Sequence, residues 1–173
     1  MKNKKTLIIV LIVAFLAVAV GIFAVLNMGN VQDKQASQEN ATVKIVQGDK
    51  TAEFDLNYLK GLKKSAFDAM QDTSKTGPEK KSFGGVPLAA VLQDKGFSLD
   101  GAKQVTFTAA DGYASVVTAA EAADAENVYL VYERDGKPSG TKAQGGSGPI
   151  EAIVAKDAFS QRWCKFLMQI DIK

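Results

Sequence analysis

GGSGPIEAIVAKDAFSQRWCKFLMQIDIK, residues 145–173, combines a glycine-rich loop, two strand-like runs, and the chain's only tryptophan and only cysteine. From Trp163 onward the pattern alternates. Cys164, Phe166, Met168, Ile170 and Ile172 fall on one side and Lys165, Gln169 and Asp171 on the other, interrupted only by Trp163 and Leu167. A period of two predicts a half-buried strand, with Cys164 packed on its apolar face. Between this strand and the apolar run after Pro149, residues 157–161 predict a single helical turn.

Upstream, the same two periods recur in short pieces. Val43 and Ile45, then Ala52 and Phe54, alternate with polar residues around Gly48-Asp49, which predicts a hairpin. Asp55 is placed to cap a short helix carrying Leu56, Leu59 and Leu62, and residues 65–83 predict a long hairpin turning at Gly77-Pro78. Pro87 suits the first turn of a helix whose Leu88, Val91 and Leu92 share a face and which Gly96 ends in a left-handed turn. Val105 and Phe107 start a strand, Asp111-Gly112 turns it, and residues 113–117 extend again. Thr118 and Glu121 form a capping box over an alanine-rich helix of about two turns. Residues 128–132 then predict a strand, Asp135-Gly136 a turn, and residues 137–148 a loop. Short strands mixed with short helices indicate α+β, with mixed sheets rather than a doubly wound parallel one.

The N-terminus differs in kind. Residues 7–26 carry no charge and follow Lys2, Lys4 and Lys5. A membrane span needs about 20 apolar residues, whereas the core of a cleaved signal has about 7–15, so a signal anchor is expected over 6–26 behind a cytoplasmic tail at 1–5. The alternative is secretion after cleavage of that segment. Residues 27–41 are polar without hydrophobic period and read as a flexible tether, and 42–173 as one extracytoplasmic domain. Setting aside the three N-terminal lysines leaves 18 of the 21 Lys+Arg against 19 Asp+Glu, a net charge of −1. Nucleic acid is not an expected partner of so balanced a domain. With no histidine in the chain, His-ligated haem, His-containing zinc sites and Ser-His-Asp chemistry are excluded, and one cysteine excludes an internal disulfide or a Cys-x-x-Cys pair.

Four motifs in order, Ser82-Phe83-Gly84-Gly85-Val86-Pro87-Leu88, residues 105–113 (VTFTAADGY), residues 129–138 (YLVYERDGKP) and residues 159–165 (FSQRWCK), resemble the molybdopterin-binding domain of the sulfite oxidase family. The resemblance covers most of 42–172. It implies a mixed α+β domain with a β-grasp-like core and, in the family's enzymes, a molybdenum-bearing pterin ligated by a cysteine. The corresponding region here, residues 66–74, has Met70, Asp72 and Thr73 but no cysteine, so the conventional molybdenum ligand is missing and no metal is assigned. The family's His-Gly-x-Pro-x-Arg motif corresponds to residues 146–151, with Glu151 in place of arginine, where it would repel a phosphate.

Five residues remain as candidates for holding a cofactor. Arg162 matches a basic family position, while Trp163 and Tyr113 offer rings to a flat ligand. Gly145 and Gly146 begin a loop whose amides either form an anion nest or merely connect, with Lys137 and Lys142 flanking it. No catalytic residue is assigned. Two functions are expected as alternatives, beside a purely structural or surface-interaction role without ligand. One is a membrane-tethered binding or accessory module, serving a membrane redox complex or holding a small anionic or heterocyclic ligand. The other is an active molybdopterin-dependent oxidoreductase acting on small oxyanions or sulfoxides.

Overall fold

Val43 and Ile45 are fully buried while Lys44 between them faces out, and that alternation sets the first strand of the domain. In the computed structural model the described residues are 9–11, 13, 14, 16–18, 20–22, 42–73 and 77–173. The chain divides into two units, Met1–Ala36 and Ser37–Lys173.

In the first unit the described residues are helical, and Ile9, Leu16 and Ile22 are exposed. Among the described residues no helix is long and apolar enough to cross a membrane, and part of the span expected over 6–26 lies outside the described residues. The expected tail at 1–5 and tether at 27–41 lie outside the described residues.

In the second unit, β1 (Val43–Gln47) and β2 (Lys50–Phe54) form the expected hairpin, and β1 runs parallel to β10 (Leu167–Ile172). Strands β5 (Gln104–Ala109) and β6 (Ala114–Thr118) complete a five-stranded mixed sheet in the order β2-β1-β10-β5-β6. The second sheet joins β3 (Ser65–Thr73), β4 (Gly77–Pro87), β7 (Val128–Arg134) and the short β8 (Lys137–Pro138), with β9 (Glu151–Val154) also paired to β7. One buried cluster draws on both sheets, with Ile45, Phe107, Leu130, Ile153 and Ile170 fully or almost fully enclosed. Each such side chain contributes about 1.5–3 kcal/mol by leaving water.

Helix α1 (Leu56–Gly61) is capped as expected, the Asp55 carboxylate accepting from Tyr58 N–H at 2.8 Å. Helix α2 (Leu88–Asp94) ends in a Schellman turn: Phe97 N–H donates to Leu92 O at 2.8 Å and Gly96 N–H to Gln93 O at 3.0 Å, with Gly96 at φ +73°. Helix α3 (Ala119–Ala123) carries the complete Thr118/Glu121 capping box but has five residues, shorter than the expected two turns, because the backbone is extended again at Asp124. Gly77-Pro78 is not the hairpin turn. It opens β4, paired as strand with Asp72 and Thr73. Pro87 likewise sits at the N-cap, ending β4, rather than inside the helix.

The largest departure is in the C-terminal strand. It begins at Leu167 rather than Trp163, because Phe166 takes a left-handed backbone at φ +52° and a bulge lies between Leu167 and Gln169. The bulge resets the phase. Leu167 is fully buried and Met168 and Phe166 only half-buried, reversing the simple alternation, while Cys164 is buried before the strand starts.

Candidate functional site

Aromatic residues of β3, β4 and β7 build the floor beneath the C-terminal segment. Phe67 stacks on Tyr129 at 3.9 Å between ring centroids, and Phe83 meets Trp163 edge-on at 5.3 Å. Trp163 is 4% exposed, and its Nε1–H donates to Val154 O at 3.2 Å. The indole is thus a core side chain with its polar atom satisfied, and only part of it reaches an outer recess.

That recess, of about 290 Å³, is lined by Ala109, Asp111, Tyr113, Gln161, Trp163 and Lys165. Two of the five sequence candidates, Tyr113 and Trp163, meet there. Asp111 accepts from Tyr113 N–H at 3.0 Å and fixes the turn, while the Tyr113 hydroxyl donates to Gln161 O at 2.6 Å. Burial and then the neighbouring Cys164 push the Tyr113 phenol up, so it stays protonated at neutral pH. The recess therefore offers a ring, an ammonium at Lys165 and a carboxylate at Asp111, which suits polar contact more than proton abstraction.

Arg162 stands beside the recess, on the 3-10 turn Ser160–Arg162, with its donors engaged. Nε donates to Asp157 Oδ2 at 2.8 Å and Nη2 to Glu121 Oε1 at 2.8 Å, with further contacts from Nη2 to Asp157 Oδ1 and from Nη1 to Glu121 Oε2 at 3.3 Å. The Arg162 guanidinium and then the Thr118 amide hold the Glu121 carboxyl well below its usual range, at about 2. The cluster ties this turn to the start of α3.

Gly145 and Gly146 lie in a loop whose amides are already paired. Gly145 N–H donates to Lys142 O, Gly146 N–H to Thr141 O, Ser147 N–H to Ser139 O and Gly148 N–H to Gly140 O, at 2.8–3.1 Å. An anion nest needs those amides converging on empty space, and here they close the loop on itself. Glycine at 146 answers a packing need, because a Cβ there would lie 2.1 Å from Ser139 O.

Sequence reasoning did not anticipate the buried pair behind this loop. Glu151 is fully buried, and its Oε2 accepts from Arg134 Nη2 at 3.0 Å, while Arg134 Nη2 also donates to Ser147 Oγ at 2.9 Å. Glu151 Oε1 has no partner among the described residues. Burial pushes the Glu151 carboxyl up, against the opposing pull of Arg134, Ser147 and Lys165. The available signal was a lone acid inside the apolar run Ile150–Val154, which demands a buried partner. Close by, Cys164 is fully buried and its thiol is pushed up to about 12, mainly by burial and then by Glu151. A thiol in that state is a poor metal ligand or nucleophile at neutral pH. Among the described residues no group of three or more Cys, Asp or Glu side chains is placed to hold a metal ion.

Residues 57–173 match the family described as oxidoreductase molybdopterin binding domain. No curated protein matches the chain in sequence. Among solved structures it is similar to the sulfane dehydrogenase SoxCD from Paracoccus pantotrophus, with a TM-score of 0.62 and 16% identity over 80% of this chain. The match takes in 38% of that longer chain, and at this identity the likeness concerns the fold.

Proposed function

Since the chain belongs to the oxidoreductase molybdopterin-binding domain family, we propose that it keeps the family's domain as a binding or accessory module, without conventional molybdenum catalysis. The observation that carries this reading is Arg162. It stands at a basic family position, yet its guanidinium is bound by the two carboxylates of Glu121 and Asp157 and has little left for a cofactor phosphate. The remaining residues agree. Glu151 stands where the family motif has an arginine, the loop amides are internally paired, and the one thiol is buried and neutral. These side chains do not fit a pterin held in the family's manner.

The N-terminal reading belongs to the same proposal. The uncharged run at 7–26 behind three lysines supports a single-pass anchor with the domain on the extracytoplasmic side, next to a membrane redox complex or a small ligand. We further read the sheet with parallel β1 and β10 at its centre as the β-grasp-like core. The second reading, an active molybdopterin oxidoreductase, draws on the family match alone.

The test is cofactor content. The full chain, purified from a host that makes molybdopterin, is expected to carry far less than one molybdenum and one pterin per protein. Stoichiometric amounts of both would sink the accessory-module reading. Membrane fractionation of the same cells is expected to place the chain in the pellet, resistant to salt and released by detergent.

A further inference from the structure

A second cavity, sharing no residue with the Tyr113 recess, has a volume of about 230 Å³. Helix α1, the end of β7, residues 138–141 and Pro149 border it, and its apolar lining comes largely from Leu56, Tyr132, Pro138 and Pro149. The loop wall is set firmly. Ser139 N–H donates to Tyr132 O at 2.9 Å, and Ser139 O accepts from Ser147 N–H at 3.1 Å. Gly146 has no side chain to prevent that close approach.

Two polar groups at this cavity are idle. Ser139 lines it, and its Oγ, sealed from solvent behind the cavity wall, has no hydrogen-bond partner among the described residues, a costly state that gives it a reason to turn about χ1 toward a polar ligand atom. Lys60 stands at the mouth and takes part in none of the ion pairs found among the described residues. Glu133, also lining it, is already neutralised by Lys64 at 2.9 Å. The mouth thus carries one cation in excess over apolar walls, with an unpaired hydroxyl just behind them.

We propose that this cavity binds a small ring-bearing carboxylate, with the ring against Leu56, Pro138 and Pro149, the carboxylate at Lys60 and a polar atom on the Ser139 hydroxyl. The size limits the ligand to about one ring, since drug-sized pockets run to roughly 300–1,000 Å³ and an apolar void of about 150 Å³ holds benzene. The excess positive charge selects an acid over an amine. The assignment deepens the binding-module reading and rests on it. The two fail separately, because molybdenum content decides that reading and ligand titration decides this one.

The test titrates the full ¹⁵N-labelled chain with sodium benzoate, and separately with uncharged benzyl alcohol, following amide shifts. Saturable shifts are expected in residues 56–61, 132–133 and 139–141. Lys60→Gln is expected to weaken benzoate by about threefold, as for an exposed ion pair, and to leave benzyl alcohol unchanged. Ser139→Ala weakens both ligands by about threefold, and Leu56→Trp, which fills the cavity, abolishes both. Thermal melts of each variant separate lost binding from lost folding. Several results would overturn the proposal: no saturable benzoate shifts up to about 20 mM, shifts centred on Tyr113 and Lys165 instead, or a benzoate affinity indifferent to both Lys60→Gln and Ser139→Ala.

Discussion

Arg134–Glu151 and Arg162–Glu121 are both arginine–glutamate pairs, yet their carboxyls are shifted in opposite directions. Glu121 keeps some contact with water and accepts from Arg162 and from the Thr118 amide and hydroxyl, so the charged form is favoured. Glu151 is sealed in the core, with one oxygen paired and the other without a partner among the described residues, so burial prevails over the attraction of Arg134. The lesson is that an ion pair's sign and size are set by solvent and by the number of donors, not by the identity of the two residues.

The comparison can be broken most forcefully at Glu151. Glu151→Ala leaves Arg134 facing a buried void and is expected to destabilise the domain by about 3–5 kcal/mol in urea melts at pH 7. Glu121→Ala removes the glutamate half of the capping box and a partly exposed partner of Arg162, for about 1–2 kcal/mol. Equal losses from the two variants would mean that burial does not distinguish the pairs. Stability against pH sharpens the contrast further. The Glu121 contribution is present above the unfolded glutamate pKa of about 4.3 and is lost as pH falls from there toward about 2. The Glu151 contribution has the reverse sign: it is full below about 4.3 and declines as pH rises from there through the raised folded value. Melts across this range are expected to show a shallower acid loss in Glu121→Gln and a shallower decline at higher pH in Glu151→Gln. A wild-type profile unchanged by Glu151→Gln would refute the raised carboxyl. The smallest effect is expected for Arg162→Lys, under about 1 kcal/mol, since a lysine keeps one charge contact and loses the fork.

Local signals in the sequence were read well because each is complete within a few residues. The Gly48-Asp49 hairpin, the Asp55 cap, the Gly96 stop and the Thr118/Glu121 box all stand where their side chains and backbone require. The phase of the last strand was not legible, because the left-handed Phe166 packs closely on Gly148 of the preceding loop and a bulge follows it, neither of which the alternation of residue types reveals. The site residues illustrate the same limit. Arg162 and Trp163 were recognised by position, but whether they are available to a ligand is decided by Asp157, Glu121 and Val154, which pattern alone does not bring to them. Tyr113 fared better, its ring remaining at an open surface.

The parallel pairing of β1 with β10 also governs how the domain comes to be folded. Strand β10 lies between β1 and β5, yet it is synthesised after every other strand, so the five-stranded sheet cannot close until translation has passed Ile172. Until then β1 and β5 present facing edges without a partner, and so high a contact order makes closure slow. A chain that stops short of this strand leaves the edges of β1 and β5 that face it unpaired. A truncation ending before Leu167 should stay in that state, and its rapid aggregation or proteolysis beside the intact chain is the observable sign.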